Sequence, residues 1–417
     1  MGEKRNIIKS QPVTGSERIL TKLCEKSFLS LWSFPNVYTD DGLAKGQGRE
    51  LCDLLVVFNE HVLIFSDKGE VQFSSGKDLS VAWPRWVKRA FFKSAYQTYQ
   101  AEKWIKNFRS RIFLDNKCTQ PFPIQIPSKD NIKVHRIVVT RGISEHARKY
   151  FGRDSSGTLM LLPMIEGEEE HFNMPFHIGI PDKRKGFVHF LDDESIDIIF
   201  KSFDTITDFI NYLERKEHFL TSIDVSIAGE EELIGYYLSS RDERSLTEEL
   251  RFPSNLPPGF DCIAITSGIY EDYTNKKVYG ALQEFTRVSY FWDELIERLG
   301  QYAFTGNWGY TTANNYEDEI TPLKYMASES RIGRTILSNS FVQWALPPFE
   351  ANETRPRVRV SSSPTNQDVC YVWLILPHSS EYADHKAYRE DRKSYLISYC
   401  IACKDLYPEF PITVGLA

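Results

Sequence analysis

The chain has 417 residues, 41% hydrophobic and 13% aromatic, which is enough for roughly two or three globular domains with ample core. A net charge of −7 excludes a binder of nucleic acid by total charge, while leaving room for a local basic surface. No apolar run is long enough to span a membrane, no apolar segment follows the polar start, and seven scattered cysteines fit a reducing compartment, so a cytoplasmic protein without a membrane partner is expected.

In chain order, residues 1–15 read as a polar leader. Residues 16–28 have helical spacing, with Ile19, Leu20, Leu23, Cys24 and Phe28 on one face. A short strand over 29–38 should stop near Pro35-Asn36, before a polar loop at 40–49. Two apolar runs, 53–58 and 62–68, flank Asn59-Glu60-His61 and predict a buried β-hairpin. Pro84 suits the first turn of a helix over 84–109, and 133–140 reads as a buried strand. The order over 16–140 is therefore α-β-β-β-α-β.

Further on, 158–164 and 186–191 are strand-like, and 204–215 is a helix capped by Asp204 or Thr205. A charged and then proline-rich stretch at 240–260 marks a boundary or long loop. Beyond it lie a strand at 261–267, an aromatic helix at 278–299, a polar stretch at 351–368, a buried strand at 369–376 and a helix at 385–406. The expected fold class is mixed α/β (α+β), with one domain over 16–220, its core in 16–140, and a second α/β or α+β domain over 221–417.

The hairpin carries the chemistry. Asp53 opens its first strand, and Ser66-Asp67-Lys68 closes the second. Phosphodiester hydrolysis requires an activated water and a neutralised leaving oxygen. Mg²⁺ held by one or two carboxylates supplies both, and a nearby lysine orients the water. Strand alternation puts Ser66 and Lys68 on one face and Asp67 on the other, unless a bulge turns Asp67 round. The second ligand is thus Ser66 or Asp67. A buried hairpin with an acid at one end and a lysine at the other is also an ordinary core element.

Along 83–109, Glu102 is the only acid, while Arg85, Lys88, Arg89 and Lys93 offer phosphate contacts on a nucleic acid. Trp86, Phe91 and Trp104 read as core anchors. Cys400 and Cys403, a lone C-x-x-C within a helix, also read as core. His171, His177 and His189 have no metal-ligand spacing, and the His378–His385 stretch, with Glu381 and Asp384, reads as a polar loop entering a helix. No phosphate-cradling loop, dinucleotide glycine pattern, G-x-S-x-G or H-E-x-x-H is present.

The hairpin residues, the element order and the helix Ser16-Glu17-Arg18-Ile19-Leu20-Thr21-Lys22-Leu23-Cys24-Glu25-Lys26-Ser27-Phe28 together resemble the PD-(D/E)xK, or restriction-endonuclease-like, nuclease superfamily over about 125 residues. The resemblance implies an αβββαβ core, cleavage of DNA, and Mg²⁺ (or Mn²⁺) placed by Asp53, Glu17 and either Ser66 or Asp67, with Lys68 orienting water. Glu25 stands behind Glu17 as the helix acid. Gln97 resembles the helix glutamine of some superfamily members, without its tyrosine partner. The sequence departs from the pattern at Ser66, where the family usually has Glu, Asp or Gln. A degenerate module that binds nucleic acid or a partner protein is therefore the alternative. The N-terminal region also resembles bacterial nuclease-like proteins, implying a genome-defence setting. The C-terminal region is expected to contact a partner protein or a second copy.

Overall fold

The computed structural model describes residues 7–152, 155–241, 250–253, 256, 259–306, 315–349, 353, 355–378, 382 and 384–417. Helix α1 (Gly15–Phe28) begins at Thr14, whose hydroxyl accepts from the Glu17 N–H while the Glu17 carboxylate returns to the Thr14 N–H, a reciprocal capping box. Leu20, Cys24 and Phe28 of its apolar face are buried, Leu23 is half-buried, and Ile19, expected on that face, is exposed. Strand β1 (Ser33–Thr39) runs through Pro35 rather than stopping there, with Asn36 left-handed at φ 47°. Strands β2 (Arg49–Phe58) and β3 (His61–Glu70) form the expected hairpin, turned by Asn59 at φ 52°, and His61 belongs to β3.

Helix α2 (Leu79–Val87) starts at the Asp78 cap, so Pro84 lies inside it and not in its first turn. A π-helical turn, Lys88–Phe92, carries the rod into α3 (Lys93–Phe108). Then come β4 (Ile112–Phe113), β5 (Lys133–Arg141), α4 (Ser144–Phe151), β6 (Met160–Glu166), α5 (Gly167–Asn173), β7 (His177–Ile180), β8 (Val188–Leu191), α6 (Asp193–Ser202) and α7 (Ile206–Ser222). The α7 cap is Thr205.

The principal sheet has the order β4-β1-β2-β3-β5-β8, with β1, β2 and β3 antiparallel and β3, β5 and β8 parallel. The α-β-β-β-α-β order read from 16–140 is thus present, and the chain is mixed α/β. Ile64 and Ser66 face α3, whereas Leu63, Phe65 and His135 face α1, α6 and α7.

A second sheet, β10-β9-β6-β7, takes β9 (Val225–Ile227) and β10 (Ile263–Ile265) from beyond residue 220, on either side of α8 (Glu230–Leu238). Helices α9 (Ile269–Thr274), α10 (Lys277–Thr286), α11 (Tyr290–Thr305), α12 (Tyr316–Ala327) and α13 (Arg331–Ala345) follow. The single helix expected at 278–299 is divided by a 3₁₀ turn at Arg287–Ser289. A third sheet, from β11 (Arg357–Ser362), β12 (Val369–Ile375) and β13 (Ile412–Leu416), packs on α14 (His385–Leu406). β11 lies in the stretch read only as polar, because its residues are half-buried or exposed and its apolar alternation is limited to Val358 and Val360. Part of the proline-rich boundary and Glu381 fall outside the described residues.

One hydrophobic cluster runs from Leu20 through Trp292 to Val414 and joins the two halves. Among the described residues, no helix is long and apolar enough to cross a membrane.

Candidate active site

The β2–β3 ladder runs from the Phe58–His61 pair only as far as Leu54–Phe65. Beyond that pair the strands part, β2 staying with β1 and β3 with β5. The parting leaves backbone donors without ladder partners. One of them, the Asp67 N–H, donates to Asp53 Oδ2 at 2.5 Å. The Asp53 carboxylate therefore bridges the mouth of the splay.

The space between the parted strands and α3 is a cavity of about 440 Å³. Glu50, Asp53, Ser66, Gln97, Lys103 and Trp104 line it, and the Ser66 hydroxyl donates to Gln97 Oε1 at 3.3 Å. Ser66 thus occupies the cavity-facing position that alternation gave it. Asp67 is turned towards α1, where its two carboxylate oxygens accept from Ser16 Oγ at 2.7 and 2.6 Å and Oδ1 also accepts from the Gly69 N–H at 2.8 Å. A bulge does occur, between Asp67 and Glu70, with Gly69 at φ 57°, but it follows Asp67 and leaves that side chain on the α1 side.

Glu50 is the residue that strand alternation misses. β1 advances by one residue, Val37 to Tyr38, while β2 goes from Cys52 to Glu50, so Leu51 is extra. That bulge reverses the parity below Cys52 and brings Glu50 to the same cavity as Asp53.

Burial drives the electrostatics. It pushes the Asp53 carboxyl up to about 7, opposed by the Asp67 N–H and Lys68 and reinforced by Glu50 and Asp67. Burial also raises Glu50, with Glu17 adding to the shift and Lys68 opposing it. Asp67 is raised by burial against the Ser16 and Gly69 hydrogen bonds and the Arg141 charge. Two acids on one cavity wall, both resisting ionisation, make a place where a cation relieves repulsion. With the Ser66 hydroxyl and the Gln97 amide oxygen, the donors are all oxygen, a set suited to Mg²⁺ or Mn²⁺.

Glu17 is close enough to act on Glu50, but its carboxylate is engaged. It accepts from the Val13 N–H at 2.7 Å, the Thr14 N–H at 3.3 Å, the Thr14 hydroxyl at 2.9 Å and Asn36 Nδ2 at 3.3 Å. Burial raises its pKa, and these bonds bring it net below the ordinary value. The sequence carried the signal in Thr14-Gly15-Ser16-Glu17, the S/T-x-x-E pattern of a capping box. Glu25 stands two turns further on, where Lys9 Nζ lies 3.9 Å from its Oε1.

Arg85, Lys88, Arg89 and Lys93 are all exposed on the α2–α3 rod, with Lys88 paired to Glu168 at 2.7 Å. None of the four lines the cavity. Lys93 stands one helical turn before Gln97, and the cations at the lining are Arg49 and Lys103. Trp86 and Phe91 are core residues as expected, whereas Trp104 is half-buried on the cavity wall beside the exposed rings of Tyr96 and Phe108. Cys403 is also core, with its Sγ 3.5 Å from Cys370 Sγ. His171 is buried between the Gly167 carbonyl and the Gly179 N–H. No family model matches this chain, and no curated protein or solved structure matches it either.

Proposed function

We propose that the chain is a metal-dependent nuclease that hydrolyses DNA phosphodiester bonds in the cavity between the parted strands and α3. The observation that carries this reading is the pair Glu50 and Asp53, one exposed and one half-buried acid whose carboxyls are both raised by desolvation, on one wall of a cavity at the open end of an αβββαβ sheet. Mg²⁺ or Mn²⁺, when bound, supplies charge neutralisation at the phosphate and a more acidic water. Glu50 and Asp53 hold that cation, since one or two carboxylates suffice when phosphate and water complete the shell. Lys68, already acting on both acids, offsets negative charge and orients the attacking water. Arg85, Arg89 and Lys93 draw the DNA backbone along the rod, and the rings of Tyr96, Trp104 and Phe108 offer faces to unpaired bases. A cytoplasmic, genome-defence setting accords with such an activity.

The test is Mg²⁺-dependent cleavage of labelled single- and double-stranded DNA by the wild type, Asp53→Asn and Lys68→Ala. The reading requires cleavage that both variants lose while keeping the wild-type circular dichroism spectrum. Equal cleavage by all three proteins sinks it.

A second reading is a nuclease fold that binds nucleic acid or a protein without cleaving. Ser66 at the cavity wall favours it, because a hydroxyl replaces a ligand that would carry charge. Salt-sensitive DNA binding with no Mg²⁺ uptake at Asp53 selects this reading.

A further inference from the structure

On the other face of the principal sheet, three histidines stand in a row across three parallel strands. His61 begins β3, His135 lies opposite Leu63 on β5, and His189 lies opposite Ile137 on β8. All three side chains point towards α7, which brings Glu214 and Glu217 over them. The donor atoms form two groups, His61–His135–Glu214 and His135–His189–Glu217, each within 4.8 Å. We propose that this row is a binding site for one divalent transition-metal ion of the zinc class, with His135 as the shared ligand and α7 supplying the carboxylate.

The distances suit such an ion. His61 Nδ1 is 3.0 Å from His135 Nε2 and 3.8 Å from Glu214 Oε1. Ligands ~2.0–2.1 Å from a tetrahedral zinc stand about 3.3–3.4 Å apart, between those two values. The other nitrogen of His61, Nε2, lies 3.4 Å from Glu60 Oε1. A carboxylate behind the far nitrogen of a metal-binding imidazole fixes its tautomer and strengthens it as a ligand.

Burial is the second, independent observation. His189 is 0% exposed, and neither of its ring nitrogens has a hydrogen-bond partner; His135 Nδ1 is also buried without one. The nearest carboxylate oxygen to His189 Nε2, from Glu217, is 4.0 Å away, too long for a hydrogen bond. Polar atoms left so are costly in a protein interior, and they show that the row carries nitrogen donors beyond what the protein's own hydrogen bonds use, next to the His61–His135–Glu214 group. Burial also lowers the pKa of each ring, that of His135 to about 3, so the imidazoles are neutral and offer lone pairs. Two nitrogens and a carboxylate oxygen suit zinc better than Mg²⁺, so this site and the all-oxygen cavity select different ions.

Access is from the Glu214 rim, where that side chain is 38% exposed and Lys133 Nζ sits 3.1 Å from it. Lys133 yields the carboxylate when the ion arrives. The ion then ties α7 to β3 and β5.

The experiment uses the full chain freed of metal with a chelator and then titrated with Zn²⁺ by calorimetry. A parallel Co²⁺ titration is followed by visible absorption, which reports tetrahedral nitrogen and oxygen ligation. The site predicts one equivalent of Zn²⁺, intense Co²⁺ bands, and a rise in Tm of about several degrees at saturation. Glu214→Gln, at the exposed rim, lowers affinity about 10–100-fold, and His61→Ala abolishes the Co²⁺ bands. These two variants carry the test if His135→Ala does not fold. Asp53→Asn leaves Zn²⁺ uptake unchanged, so failure here is separable from failure of the cavity. Absence of stoichiometric Zn²⁺ uptake overturns the proposal and leaves the His61–His135 contact as a plain hydrogen bond. Uptake indifferent to both Glu214→Gln and His61→Ala overturns it equally.

Discussion

Asp53 is held in a state that the unfolded chain would not impose. An ordinary aspartyl side chain titrates near ~4, and burial moves this one to about 7. Between those values the folded protein keeps a proton that the unfolded chain has lost. The contribution to stability is therefore full below pH ~4 and lost as the pH rises through ~7. Asp53→Asn retains an oxygen to accept the Asp67 N–H and removes the charge. Urea unfolding should find this variant more stable than the wild type by about 1–3 kcal/mol at pH 8, and equal to it at pH 4. A loss of stability at pH 8 would mean that the carboxylate is already compensated. Ser66→Asp adds a carboxylate on the same wall, and calorimetry should then show Mg²⁺ binding tightened by about tenfold.

Two bulges shape the site, and they explain what could be read in advance. Alternation puts Ser66 on the Lys68 face, while the choice between Ser66 and Asp67 rests on where the bulge falls, after Asp67. Glu50 does not follow from alternation, because the extra Leu51 reverses parity below Cys52, and only the pairing with β1 reveals it. Glu17 was legible twice, as a helix acid and as the fourth residue of a capping box; its hydrogen bonds fit the second role. The row of histidines was invisible because residues 61, 135, 189, 214 and 217 meet only across three strands and a helix. The bulge after Asp67 needs Gly69 at φ 57°, with Ser16 Cβ 3.4 Å from where a side chain would begin. Gly69→Ala should cost about 1–2 kcal/mol in chemical unfolding and displace Lys68, weakening cleavage more than stability. On the α2–α3 rod, the triple change of Arg85, Arg89 and Lys93 to alanine should weaken DNA binding uniformly across sequences. The slope of log affinity against log salt should become shallower by about one per lost phosphate contact, as measured by fluorescence anisotropy.

Across the whole molecule, the C-terminal helices complete the core of the N-terminal sheet. Ser30, just after α1, donates from its N–H and hydroxyl to Glu297 of α11 at 2.5 and 2.6 Å. Arg331 opens α13 almost fully buried and pairs with Asp204 and Asp293, each at 2.8 Å. Removing it takes the cation from Asp204, which keeps the Tyr290 hydroxyl, while Asp293 keeps Arg334. Arg331→Met should cost about 2–4 kcal/mol, read from the urea midpoint. Because one hydrophobic cluster crosses residue 220, its loss should shift a single unfolding transition rather than divide it in two. The strands of this region were readable where an apolar run was strong, as in β12. They were not where polar strands such as β11 gain their place only by pairing.

The central claim, that Glu50 and Asp53 form a metal-dependent cleavage site, is tested most directly by titrating Mg²⁺ into the wild type and Asp53→Asn while following cleavage of labelled DNA. Saturable cleavage by the wild type is expected, and none by Asp53→Asn at any Mg²⁺ concentration that leaves both folded. Cleavage by Asp53→Asn at the wild-type rate, or by the wild type without a divalent ion, would contradict it.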